Sequence, residues 1–132
     1  MRLVLDTNVL VSALLKVGSV PDRALEAVWS TGAVVLYDAR IAAEYREVLT
    51  RPKFRGIDPA RIETLLARFP AEGALAHVSV LDLALPDEAD RCFVEVARSG
   101  RADALVTGNL RDFPDDLGFA VWPPATLLAQ LE

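Results

Sequence analysis

The chain has 132 residues, 52% hydrophobic and 25% charged, which suits one folded domain and excludes a disordered chain. Fourteen basic residues against nineteen acidic ones leave a net charge of −5, which excludes a broadly basic nucleic-acid-coating protein. Cys92 is the only cysteine, so an intramolecular disulfide and a cysteine-based zinc site are excluded, and a reducing cytoplasm is the expected compartment.

Arg2 to Asp6 (RLVLD) is short, apolar and branched, and reads as a buried strand. Asn8 to Leu15 reads as a helix. The apolar N-terminal stretch is broken by Asp6, Thr7 and Asn8, so a signal peptide is not expected. No run approaches the ~20 apolar residues of a membrane span, so no membrane partner is expected. A second helix is predicted from about Asp22 to Ser30, ended by Gly32. Ala33 to Tyr37 is the second strand and Arg40 to Thr50 the next helix, with Ile41, Tyr45, Val48 and Leu49 on one apolar face. Asp58-Pro59 is a cap followed by a first-turn proline, and predicts a helix to about Phe69.

Ala76 to Leu81 is predicted as a strand, with His77 inside it as a structural residue. Pro86 to Ser99 reads as a helix with Phe93, Val94, Val96 and Ala97 inward. Ala104 to Thr107 and Phe119 to Trp122 are the last strands, and Pro123-Pro124 opens a short final helix. Strands alternating with helices imply crossover connections and a mainly parallel sheet covered on both faces, in a single domain over 1–132. In such sheets the ligand site lies beyond the carboxyl ends of the strands.

Polar residues at those ends therefore draw attention. Asp6 closes the first strand, although it could equally cap the helix that follows. Glu44 lies at the edge of the apolar stripe of its helix. Asp87, Glu88 and Asp90 crowd the start of the Pro86 helix beyond what one cap requires. Asn109 and Asp112 follow the strand ALVT, whereas Asp103 precedes it and belongs to the opposite rim. Carboxylates from separate strand–helix junctions repel one another unless a cation joins them, and at least one pKa should rise, at Asp90 or Asp6 first. Hard oxygen ligands suit Mg²⁺ or Mn²⁺. Such ions activate water and clamp the oxygens of a phosphodiester. No Gly-rich phosphate loop, nucleophile elbow or His/Cys metal spacing is present.

Four segments then carry a resemblance: LVLDTNVLVSALL at 3–15, IAAEYREVLTRPKF at 41–54, LPDEADRCFVEVA at 85–97 and ADALVTGNLRDFP at 102–114. In this order they resemble the PIN-domain nucleases, and specifically the VapC-like toxin components of bacterial and archaeal toxin–antitoxin systems. The resemblance implies a three-layer α/β/α fold with about five parallel strands. It implies an acidic pocket for Mg²⁺ or Mn²⁺, endoribonuclease activity, an RNA substrate and a cognate antitoxin protein, and it admits a homodimer. By motif position Asp6, Glu44 and Asp90 are the implied catalytic acids, with Asp87 as a helper ligand. The fourth position, often aspartate in a T-G-D motif, is Asn109. An amide adds no charge, so metal binding should weaken, with Asp112 compensating. Arg40, Arg46, Arg51, Lys53 and Arg55 cluster around the Glu44 helix and would form a basic rim for RNA phosphates; a solvated helix face with i,i+4 pairs explains them equally well.

Other readings fit less well. A phosphate-accepting receiver domain needs a lysine after a late strand, but the only lysines are Lys16 and Lys53. A haloacid-dehalogenase-like phosphatase needs D-x-D where this chain has Asp6-Thr7-Asn8. The stronger rival is a catalytically impaired PIN fold that only binds a partner, which Asn109 supports and the remaining acids oppose.

Overall fold

The computed structural model describes residues 1–114 and 116–132. Five strands form one sheet: β1 (Arg2–Leu5), β2 (Val34–Tyr37), β3 (Ala74–Leu75), β4 (Ala104–Val106) and β5 (Ala120–Trp122), in the order β3-β2-β1-β4-β5. Every neighbouring pair is parallel. Six helices complete the three-layer α/β/α arrangement: α1 (Thr7–Leu15), α2 (Val20–Ser30), α3 (Ala39–Leu49), α4 (Pro59–Glu72), α5 (Arg91–Ser99) and α6 (Pro124–Leu131).

The continuous apolar run of β1 has its cause in this arrangement. Leu3, Val4 and Leu5 are all fully buried, because a central parallel strand meets packed side chains on both faces. α5 packs on β1, β2 and β4, α4 packs on β2, and α2 lies against α1 and α6. The helix starts follow the predicted caps. Asp38 accepts from the Ile41 amide at 3.0 Å and Asp58 from the Ala60 amide at 2.9 Å. Gly32, at φ +71°, ends α2 in the left-handed conformation that glycine adopts without strain. α4 was expected to stop before Pro70; it continues to Glu72, and Gly73 closes it by donating to the Phe69 carbonyl at 2.8 Å.

One predicted strand is corrected. The sheet edge β3 ends at Leu75, and Ala76 to Leu81 joins no further ladder. Ala76 and Val78 are half-buried and His77 and Ser79 exposed, but the alternation breaks at Val80, which is exposed. Ala76 N–H still donates to the Tyr37 carbonyl at 2.8 Å, but beyond it the partners are side chains. Ser79 N–H donates to Ser99 Oγ at 2.9 Å and Leu81 N–H to Glu95 Oε2 at 2.9 Å. His77 is thus an exposed residue of a strap and not of a strand. The predicted Pro86–Ser99 helix is also divided: a 3₁₀ turn over Glu88–Asp90 precedes α5.

The order of the strands locates the site. The chain moves from β1 outward to β2 and β3, then returns to the other side of β1 for β4 and β5. The switch point is the crevice between β1 and β4, at their carboxyl ends, where open parallel sheets bind ligands.

Candidate metal centre

Asp6 sits at that crevice. It occupies the N-cap position of α1, yet its side chain makes no capping bond. Register puts Leu5 opposite Val106, which brings Asp6 beside Thr107 across the sheet. Thr107 Oγ1 donates to Asp6 Oδ2 at 2.8 Å, and Asn8 Nδ2 donates to the same oxygen at 3.0 Å. Asn8 Oδ1 in turn accepts from the Gly108 amide at 2.9 Å. Asn8 and Thr107 therefore join the ends of β1 and β4 and fix the orientation of the Asp6 carboxylate. Neither was singled out from sequence. For Thr107 the signal lies in the register, since Asp6 and Thr107 directly follow two adjacent strands whose last residues are paired; Asn8, in the first turn of α1, has no such signal.

Glu44 reaches the rim because its neighbour is anchored. Tyr45 is fully buried, packs against Phe69 and Phe93, and donates its hydroxyl to the Leu5 carbonyl at 2.5 Å. This pins α3 to the last residue of β1 and leaves Glu44 half-buried near the site, in no ion pair among the described residues. Asp87 caps the 3₁₀ turn by accepting from the Ala89 amide at 2.9 Å. Asp90 ends that turn and is only 9% exposed. Asp112 ends a second 3₁₀ turn, Leu110–Asp112, after β4. Asn109 Nδ2 donates to Asp112 Oδ2 at 2.7 Å, so this amide orients a carboxylate. Asp103 lies at the opposite rim, accepting from the Arg2 amide at 2.7 Å.

Asp87, Asp90 and Asp112 each bring a carboxylate oxygen within 4.8 Å of the other two. The electrostatics show how far the acids share one space. Burial pushes the Asp90 carboxyl up to about 7, and the charges of Asp6, Asp112, Asp87 and Glu44 push the same way. Burial raises Asp6 as well; its hydrogen bond from Thr107 opposes this, while Asp112 and Glu44 add to it. Burial also raises Glu44, with Glu47 and Asp87 adding and Arg51 opposing. Asp90 Oδ2 is buried and has no hydrogen-bond partner among the described residues. A buried acceptor with no donor, in a cluster that resists full ionisation, fits an all-oxygen site for a hard divalent cation.

The predicted basic rim is divided. Arg40 pairs with Asp38 at 2.9 Å and with the buried Glu95 at 2.7 Å. Arg46 forms a two-pronged pair with Glu63, and Arg51 pairs with Glu47 at 2.8 Å. Lys53 lies over the Phe54 ring at 5.0 Å, and neither it nor Arg55 joins an ion pair among the described residues.

Comparison with known proteins bears on the family and the fold. Residues 2–111 match the PIN domain family. No curated protein matches the sequence. Among solved structures, the chain is similar to one described as VapBC2 from Rickettsia felis bound to a DNA fragment from their promoter. The match has 17% identity and a TM-score of 0.62, and covers 93% of this chain and 98% of that one. The chain belongs to the PIN domain family.

Proposed function

We propose that this protein is a Mg²⁺- or Mn²⁺-dependent endoribonuclease, and the toxin of a toxin–antitoxin pair. PIN domains are generally nucleases, and the observation that carries the reading is the meeting of Asp87, Asp90 and Asp112 oxygens within 4.8 Å at the sheet's switch point. The fold shared with the VapBC2 structure supports an antitoxin protein as the partner. No described helix is long and apolar enough to cross a membrane, and a cytoplasmic site of action goes with the proposal.

Asp87, Asp90 and Asp112 would hold the ion, with Asp6 and Glu44 completing the acidic wall. When bound, such an ion supplies Lewis-acid stabilisation of charge on phosphoryl oxygens and activation of water. The protein's share is orientation. Thr107 and Asn8 fix Asp6, and Asn109 fixes Asp112. The carboxylates act as ligands and not as covalent nucleophiles. Lys53 and Arg55 are the members of the basic rim left to meet RNA phosphates, because Arg40, Arg46 and Arg51 are engaged with acids.

The assay is cleavage of single-stranded RNA with Mg²⁺ or Mn²⁺, with and without EDTA, by wild type and Asp6→Asn. Cleavage should require the metal and fall by at least about a hundredfold in the variant. Activity that survives both changes would mean another mechanism. Folded protein with no cleavage under either metal would favour the impaired, partner-binding PIN fold.

A further inference from the structure

Glu95 is the most deeply buried carboxylate among the described residues, at 1% exposure. It lies on the inward face of α5, and it is not one of the acids that raise Asp90. A charge in such a place persists only with partners. Its Oε1 accepts from Arg40 Nη1 at 2.7 Å, and its Oε2 accepts from the Leu81 amide at 2.9 Å. Burial alone would raise its pKa, but these two donors and the charges of Arg40 and Arg91 hold the carboxyl below the usual glutamate range.

Each partner belongs to an element that carries an acid of the centre. Arg40 stands in the first turn of α3, which bears Glu44, and its Nε donates at 2.9 Å to Asp38, the cap of that helix. Leu81 belongs to the strap between β3 and Asp87, which no sheet ladder holds. Arg91, one turn before Glu95, clasps the same strap by donating to the Leu81 and Leu83 carbonyls, and pairs with Glu88 at 2.7 Å. Asp90 heads the α5 helix that contains Glu95 itself. Three segments distant in sequence thus meet at one side chain away from the cluster.

We propose that Glu95 is a positioning residue for the acidic centre: through Arg40 and the Leu81 amide it holds the Glu44 helix and the strap leading to Asp87 in place against the Asp90 helix. This role rests on the metal-centre reading above. Residues behind a metal site that orient its ligands typically change affinity by about 10- to 100-fold when altered.

The test is Mn²⁺ affinity by calorimetry for wild type, Glu95→Gln, Arg40→Gln and Glu63→Gln, each shown to be folded by circular dichroism. Glu95→Gln removes a negative charge and Arg40→Gln removes a positive one. Simple electrostatics would therefore move the affinity of the two variants in opposite directions. Positioning predicts that both bind about tenfold more weakly. Glu63→Gln, which removes the same charge from an exposed pair, should bind like wild type. Amide exchange at Leu81 should also quicken in Glu95→Gln. Arg40 is half-exposed, so its variant decides the matter if Glu95→Gln does not fold. Variants with lowered melting temperature and wild-type affinity, or with shifts of opposite sign, would overturn the positioning role alone. Wild type that binds no Mn²⁺ would overturn the metal centre and this role with it.

Discussion

Asp90 shows how a single side chain records the purpose of its surroundings. Its carboxyl, pushed up to about 7 by burial and then by its acidic neighbours, keeps a proton at pH values where an ordinary aspartate has lost it. The sign follows from linkage. A folded-state pKa raised above the unfolded value favours the fold at acid pH, and the advantage is lost as pH rises from about 4 to about 7. Each unit of that difference is worth about 1.4 kcal/mol, so the contribution is of the order of a few kcal/mol. A divalent cation competes with the same proton. Mn²⁺ affinity should therefore climb as pH rises towards about 7 and level off above it, which calorimetric titration at several pH values would check. An affinity independent of pH below 7 would place the ion elsewhere. Asn109 makes a second case. Its amide donates to Asp112 at 2.7 Å, so Asn109→Asp replaces an attraction with a repulsion in the metal-free protein. That variant should melt at a lower temperature without metal and gain more than wild type from Mn²⁺. At a hundredfold excess over its dissociation constant the ion stabilises by ~2.7 kcal/mol, a shift that thermal melting resolves.

At the scale of elements, backbone geometry turns on a few close approaches. Gly73 ends α4 where the chain turns into β3, and a Cβ there would stand 2.6 Å from the Phe69 carbonyl oxygen and 2.9 Å from that of Val35. Both obstacles are backbone, so Gly73→Ala should destabilise the fold by about 1–3 kcal/mol, measured by urea unfolding. Most elements were legible in the sequence because their causes are local. β1 is apolar over Leu3–Leu5, Asp38 and Asp58 sit where caps belong, and Gly32 stops α2. The stretch 76–81 reads as a strand in sequence, but past the Ala76 bond to the Tyr37 carbonyl its partners are Glu95, Ser99 and Arg91, side chains of a later helix that the local sequence does not show. The same reason divides the basic residues. Glu47–Arg51 is an i,i+4 pair visible in sequence, but Arg46–Glu63 and Arg40–Glu95 are made by tertiary packing. Asp6 shows the converse: its cap position was plain, but only strand register reveals that its side chain turns to Thr107.

The whole molecule places an acidic crevice where a parallel sheet changes direction, in a chain of net charge −5. Five acids from four separate segments of the sequence, Asp6, Glu44, Asp87 with Asp90, and Asp112, influence one another there. A fold that gathers like charges loses stability by doing so unless a cation joins them. Under the proposed function that cost is offset when a cation binds, because the ion neutralises the gathered carboxylates and stabilises charge on phosphoryl oxygens. The most direct test is a crystal structure of the protein soaked in Mn²⁺, read by anomalous scattering. The account predicts a manganese peak coordinated by oxygens of Asp87, Asp90 and Asp112, absent from crystals of Asp90→Asn. Wild-type crystals with no anomalous peak among these carboxylates, from protein that still cleaves RNA, would contradict it.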